Sequence, residues 1–152
     1  MTRRDATWLI AAAGAATLLA APPKFFSTAE FQKLETFTTI LIPTDDTPGA
    51  KEAQVAPFID FVVNASAEYA PEEQERWRRA MDWLRNRDVT EKLIDDMSAP
   101  EHEGFATYQL IKEMTVRAFY TSQVGLRDVL EYKGIAYLHE FPGCSHPEHQ
   151  HV

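Results

Sequence analysis

The sequence has a single cysteine, Cys144, in 152 residues. One thiol excludes an internal disulfide framework and leaves an intermolecular bridge or a free thiol. Basic residues are also in deficit: 15 Lys and Arg against 23 Asp and Glu give a formal charge of −8. Phosphate recognition needs clustered Lys and Arg, so nucleic acid is not an expected partner. The chain lacks a Gly-x-Gly-x-x-Gly turn, a Walker loop and a Gly-x-Ser-x-Gly elbow. Dinucleotide binding, P-loop chemistry and hydrolase-type nucleophilic catalysis therefore have no sequence support. There is no internal repeat and no strand-like alternation of polar and apolar residues. What remains is a chain 45% hydrophobic and 25% charged, the balance of an ordinary globular domain.

One segment departs from that balance. Residues 1–21 place Arg3 and Arg4 before an uncharged Ala- and Leu-rich run from Ala6 to Ala21. A basic start, an apolar stretch and small residues form the layout of an export signal. Trp8 to Ala21 is short for a membrane span, which needs about 20 apolar residues. The paired arginines suggest the twin-arginine route, which carries folded cargo, although Ala6 and Thr7 stand where that signal prefers bulky apolar residues. Leu19-Ala20-Ala21 offers a cleavage site before Pro22 and Pro23. The alternatives are an uncleaved anchor or the basic start of a buried helix. The expected organisation is thus a signal over 1–21, then one helical domain over 22–152.

The domain reads as all-α, an irregular bundle of about five helices with an irregular tail from about residue 135. Ser27-Thr28-Ala29-Glu30 is a capping box. Phe31, Leu34, Phe37 or Thr38 and Leu41 follow at helical spacing, and Pro43 ends the helix. Lys51 to Ala53 is expected to begin a second helix, with Pro57 in its first turn and Phe58, Phe61, Val62 and Ala65 as the buried stripe. Pro71 opens a third helix with Trp77, Ala80, Met81 and Leu84 inward, and with Glu72–Arg76 and Glu75–Arg79 pairs outside. Thr90 caps a short fourth helix carrying Leu93, Ile94 and Met97. The most apolar helix runs from Gly104 to Tyr120 and is expected at the centre of the bundle. Its face holds Phe105, Tyr108, Ile111, Thr115, Ala118 and Phe119, widened by Leu110, Met114 and Val116. A loop at 121–125 and a last helical turn at 126–132 close the pattern. Trp77, Trp83, Phe105, Phe119 and Tyr120 read as core aromatics.

Candidate chemistry is sparse. Asp45 and Asp46 lie in the turn-rich segment Pro43-Thr44-Asp45-Asp46-Thr47-Pro48-Gly49-Ala50. Two carboxylates there can bind a hard cation, but calcium takes more ligands than two neighbours supply. The favoured reading is that they cap the next helix or serve an interface. The tail brings Cys144, His146, His149 and His151 together, all competent zinc ligands at a spacing that is not a standard structural zinc pattern. No complete catalytic constellation is present, and no cofactor-binding or metal-binding residue is assigned.

Three stretches carry a resemblance. Phe25 to Glu30 with Ile40 to Ala50, Tyr120-Thr121-Ser122 with Gly125 and Tyr132-Lys133-Gly134, and Pro142-Gly143-Cys144 with His146-Pro147 resemble, in that order, the gluconate 2-dehydrogenase subunit 3 family. The resemblance implies a non-catalytic small subunit of a periplasmic dehydrogenase complex associated with the inner membrane. It implies a large flavoprotein of the glucose-methanol-choline oxidoreductase type holding FAD. It further implies a cytochrome c subunit carrying haem c, and passage through the twin-arginine translocase. Arg3 and Arg4 would then export the partner as well as this chain. Pro43, Asp45, Asp46, Pro48 and Gly49, with Pro142, Gly143 and Cys144, are the expected partner interface, since loops on rigid scaffolds often carry recognition. The alternative is an independent exported helical protein that binds a metal or ligand through the acidic loop or the histidine tail.

Overall fold

A computed structural model describes residues 22–132. Within them the chain is helical, with no strand. Five α-helices are present: α1 Thr28–Leu41, α2 Val55–Ala65, α3 Pro71–Leu84, α4 Glu91–Met97 and α5 Phe105–Thr121. A single 3-10 turn, Ser66–Glu68, joins α2 to α3, and a π-helical segment, Val124–Val129, follows α5. The export-signal residues 1–21 and the tail 133–152 lie outside the described residues.

The helix boundaries follow local chemistry. Ser27 Oγ accepts from the Glu30 amide at 3.3 Å, and Glu30 Oε2 accepts from the Ser27 amide at 2.8 Å, completing the capping box. Helix α1 ends at Leu41, immediately ahead of Ile42-Pro43. Pro71 occupies the first turn of α3, where a missing amide leaves nothing unsatisfied. Thr90 Oγ1 accepts from the Leu93 amide at 3.2 Å and starts α4. The Gln74 side chain donates to the carbonyls of Val63 and Asn64, so α3 satisfies the C-terminal end of α2.

Helix α5 packs against each of the other four helices. Its inward residues Leu110, Ile111, Ala118 and Phe119 meet Leu34 and Phe37 of α1, Ile59 and Val63 of α2, and Trp77 and Met81 of α3 in one core. Thr115 is fully buried on the same face, and its hydroxyl donates to the Ile111 carbonyl one turn back, so its burial leaves no orphan donor. Trp77, Ala80, Met81 and Leu84 are all buried, as are Ile94 and Met97, with Leu93 packed against them.

The structure corrects several expectations. The second helix starts at Val55, not at Lys51 to Ala53, because residues 50–54 form turns and Gln54 adopts a left-handed φ of 56°. Its buried face is Val55, Ala56, Ile59, Asp60 and Val63. Phe58 and Phe61 are instead 40% and 58% exposed, while Val62 and Ala65 are half-buried. The apolar side of this helix would leave Asp60 outside with Asn64; the carboxylate of Asp60 instead turns inward, where it finds its partners. Beyond α5 the coil resumes at Val124, with the Leu130 amide reaching the Gly125 carbonyl at 3.0 Å in a π-type bond, where a loop to residue 125 was expected. Finally, Tyr120 is 42% exposed and Trp83 and Phe105 are half-buried, so none of the three belongs to the closed core, and Val116, expected on the inward face of α5, is exposed. On the α3 surface, Arg76 pairs with Glu73 at 2.6 Å in place of Glu72, while Arg79 stands 4.0 Å from Glu75.

Candidate functional site

The segment between α1 and α2 forms a closed loop. The Ala50 amide donates to the Ile42 carbonyl at 2.9 Å, joining its two ends. Gly49 sits so close to the opposite strand of the loop that a Cβ would lie 2.6 Å from the Pro43 carbonyl carbon. Glycine is required there by the approach of the two backbones. Glu52 then fastens the loop, with its Oε2 accepting from the Thr44 hydroxyl at 2.7 Å and from the Gly49 amide at 3.0 Å. These bonds, the Thr44 hydroxyl first, hold the Glu52 carboxyl below its ordinary range.

Asp45 organises the tip. Its Oδ1 accepts from the Thr47 amide at 2.8 Å and from the Thr47 hydroxyl at 3.0 Å, an Asx turn that lowers its pKa through the backbone bond first. Asp46 is exposed and extends from the same tip. Neither aspartate caps α2, which begins at Val55 behind Gln54 and has no side-chain cap. The capping expectation is therefore overturned: Asp45 spends its oxygens inside the loop, and the carboxylate that restrains the loop is Glu52. That residue escaped the sequence reading. The signal available was the spacing Gly49-x-x-Glu52, with which a carboxylate reaches back to an amide at the start of a helical turn.

A second built feature lies below the loop. Asp60 is 5% exposed, and its two oxygens accept from the amides of Lys24 at 2.7 Å, Phe25 at 3.0 Å and Phe26 at 3.1 Å. The buried charge is satisfied wholly by backbone donors. It fixes the segment that directly follows residues 1–21 onto α2. Phe26 is thereby held in the core against Trp77, with ring centroids 5.7 Å apart. Phe25 packs edge-on against Phe26 and lies under the Arg78 guanidinium.

A third feature ties three elements together at Arg87. Its guanidinium donates to the Trp83 carbonyl and to Glu103 Oε1, and lies 4.0 Å from the centre of the Trp83 ring. Its own carbonyl accepts from the Lys33 ammonium of α1.

Pro43, Asp45, Asp46, Pro48 and Gly49 are thus brought together in one loop at the surface, with Gly49 buried against it. Arg3 and Arg4, and Pro142, Gly143 and Cys144 with the histidine tail, lie outside the described residues. Among the described residues no group of three or more His, Cys, Asp and Glu side chains converges on a metal-sized site. No described helix is long and apolar enough to cross a membrane.

The described residues thus present a closed loop, a tethered N-terminal segment and, on α2, the exposed rings of Phe58 and Phe61. Residues 28–92 match the family model described as Gluconate 2-dehydrogenase subunit 3, which supports the family resemblance read from the sequence. The match runs from α1 through the closed loop, α2 and α3 to the first residues of α4. The family is that of a subunit of a multi-subunit dehydrogenase. Comparison with curated proteins and with solved structures found no match.

Proposed function

We propose that this chain is a non-catalytic small subunit of a periplasmic, membrane-associated, FAD-dependent gluconate or sugar dehydrogenase complex, and that it supports export, assembly or stability of the flavoprotein large subunit. The observation that carries the reading is the family match across the first three helices and the loop between them. In this reading FAD belongs to the large subunit and haem c to a cytochrome subunit, and this chain contributes surface.

The physical rationale is one of order. A flavoprotein takes up FAD as it folds, so a folded, loaded complex needs an export route that accepts folded cargo. One subunit carrying the address suffices for both. Asp60 supports this role by gripping Lys24 to Phe26, so that the junction with residues 1–21 is part of the folded domain.

The test uses the full chain tagged after Val152 and recovered from the native membrane fraction. A large partner with a flavin absorbance spectrum is the expected result. Arg3→Lys with Arg4→Lys should strand that partner in the cytoplasm; a large subunit that still reaches the periplasm unchanged sinks the carrier role. Recovery of a colourless, stable single chain whose melting temperature rises with zinc or calcium replaces the proposal with an independent metal-binding protein.

A further inference from the structure

Helix α5 starts without a capping side chain, because its N-cap is Gly104. Packing requires glycine there: a Cβ would lie 2.6 Å from the Trp83 ring and 3.0 Å from Met97 of α4. Gly104 is buried, so its own amide needs an acceptor. No backbone carbonyl receives that amide among the described residues. His102 supplies the acceptor, its Nδ1 receiving the Gly104 N–H at 3.0 Å. The bond does for α5 what the Glu30 carboxylate does for the N-cap amide of α1. An imidazole nitrogen accepts only while it carries no proton, so the bond requires the neutral ring with its hydrogen on Nε2.

The surroundings of that ring are charged on several sides. His102 is half-buried and stands edge-on to Trp83, with ring centroids 6.0 Å apart. Just beyond α3, the Arg87 guanidinium lies over the same Trp83 ring and donates to Glu103 at 2.7 Å, and the exposed Asp88 follows it. Glu101 and Glu103 flank His102 in the chain, and both are exposed. On α4, Asp95 is exposed and Asp96 is paired with Lys92; from α1, Lys33 reaches only the Arg87 carbonyl. No ion pair joins His102 to a carboxylate among the described residues. Imidazole is the one side-chain type in this group whose ordinary titration falls between about pH 5 and 8. Carboxylates, guanidinium and ammonium groups ordinarily keep their charges across that range. Protonation turns Nδ1 from acceptor into donor, so two N–H groups then face each other and the buried Gly104 amide loses its partner.

We infer that His102 is a pH-sensitive latch on the start of α5: neutral, it holds the Gly104 amide; protonated, it releases that amide and turns toward the carboxylates of Glu101 and Glu103. Glu103 is already the partner of Arg87, so the released ring competes with the guanidinium that covers Trp83. Release loosens the first turn of the helix that packs against all the others. The latch acts within the chain and is independent of the subunit role proposed above.

The experiment follows the full chain, labelled with nitrogen-15, by NMR from about pH 8 to about pH 5. At the alkaline end the His102 ring should show the tautomer with its hydrogen on Nε2. On acidification the Gly104 amide should shift along the same curve as the His102 ring, and its protection from hydrogen exchange should fall about tenfold or more. His102→Asn places an oxygen acceptor two residues before the amide, an Asx-type bond that does not titrate. In that variant Gly104 should stay protected and unshifted across the whole range. His102→Ala should leave Gly104 poorly protected at both ends of it. A neutral ring with its hydrogen on Nδ1, or a Gly104 amide that ignores the titration of His102, overturns the latch. So does a pH-dependent Gly104 shift that persists in His102→Asn.

Discussion

The buried carboxylate of Asp60 holds the backbone amide of Phe26 at 3.1 Å, and with it the ring that Phe26 lays against Trp77. One side chain on α2 thus fixes the segment that leads into the domain and part of the core on α3. Asp60→Ala removes the acceptor shared by three amides and leaves the Phe26 amide buried and unpaired. The expected loss is about 3 kcal/mol, the scale of a charge-assisted hydrogen bond plus an orphaned donor. Urea unfolding measures it, and limited proteolysis should show cleavage near Lys24 before the rest of the domain. Asp60→Asn, which keeps one acceptor oxygen, should recover part of the loss.

The rotation of α2 makes a second prediction by contrast. Ile59 is fully buried, while Phe58 and Phe61 are exposed on the other side of the same helix. Ile59→Ala should cost about 2–5 kcal/mol. Phe58→Ser and Phe61→Ser should each stay within about 0.5 kcal/mol of the parent in the isolated chain. Equal and large losses for all three in thermal melts would restore the buried stripe that the sequence suggested.

That contrast also shows what could be read without coordinates. Helix ends were legible because their chemistry is local: Ser27 and Glu30, Pro43, Pro71 and Thr90 act within four residues of themselves. Faces were legible where charge and apolarity segregate, as on α3. On α2 they segregate too, but Asp60, on the polar side with Asn64, is buried. The α2 sequence VAPFIDFVVNA has one charged residue, and the usual inference sends that residue outward. Asp60 goes inward because its partners are the amides of Lys24 to Phe26, more than thirty residues earlier. The loop between α1 and α2 was legible as a loop from its prolines and glycine. Its lock was not, because the Thr44–Glu52 bond depends on the path of the chain between them. Trp77 was legible as core, but an indole N–H without an acceptor among the described residues was not, since only packing reveals which donors lack acceptors.

Gln54 gives a prediction of the opposite sign. It holds a left-handed φ of 56° at the start of α2 and makes no side-chain cap there. A residue with a Cβ pays about 1–2 kcal/mol for that conformation, and glycine does not. Gln54→Gly should therefore stabilise the chain by up to about 1 kcal/mol, the remainder being offset by greater freedom in the unfolded state. Gln54→Val should destabilise it, because a β-branched side chain tolerates that region least. Chemical denaturation of both variants decides the sign.

The closed loop should open in acid. Both Glu52 and Asp45 have depressed pKa values in the folded chain, from the Thr44 hydroxyl and the Thr47 amide respectively. For a carboxylate with a lowered folded pKa, the stabilising bonds are intact above its unfolded pKa and are lost as pH falls through the folded one. The window therefore lies below about pH 4, at the acid side of the ordinary carboxylate range. The Gly49 amide, bonded to Glu52, should shift in NMR spectra across that window, while amides of the α5 core stay fixed. Glu52→Gln should abolish most of that titration at Gly49 and leave the Asp45–Thr47 turn responding. Gly49→Ala should reach a similar open state at neutral pH, since its Cβ would press on the Pro43 backbone, at an expected cost of about 1–3 kcal/mol. A Gly49 amide that does not move on acidification would mean that the Glu52 carboxylate does not hold the loop.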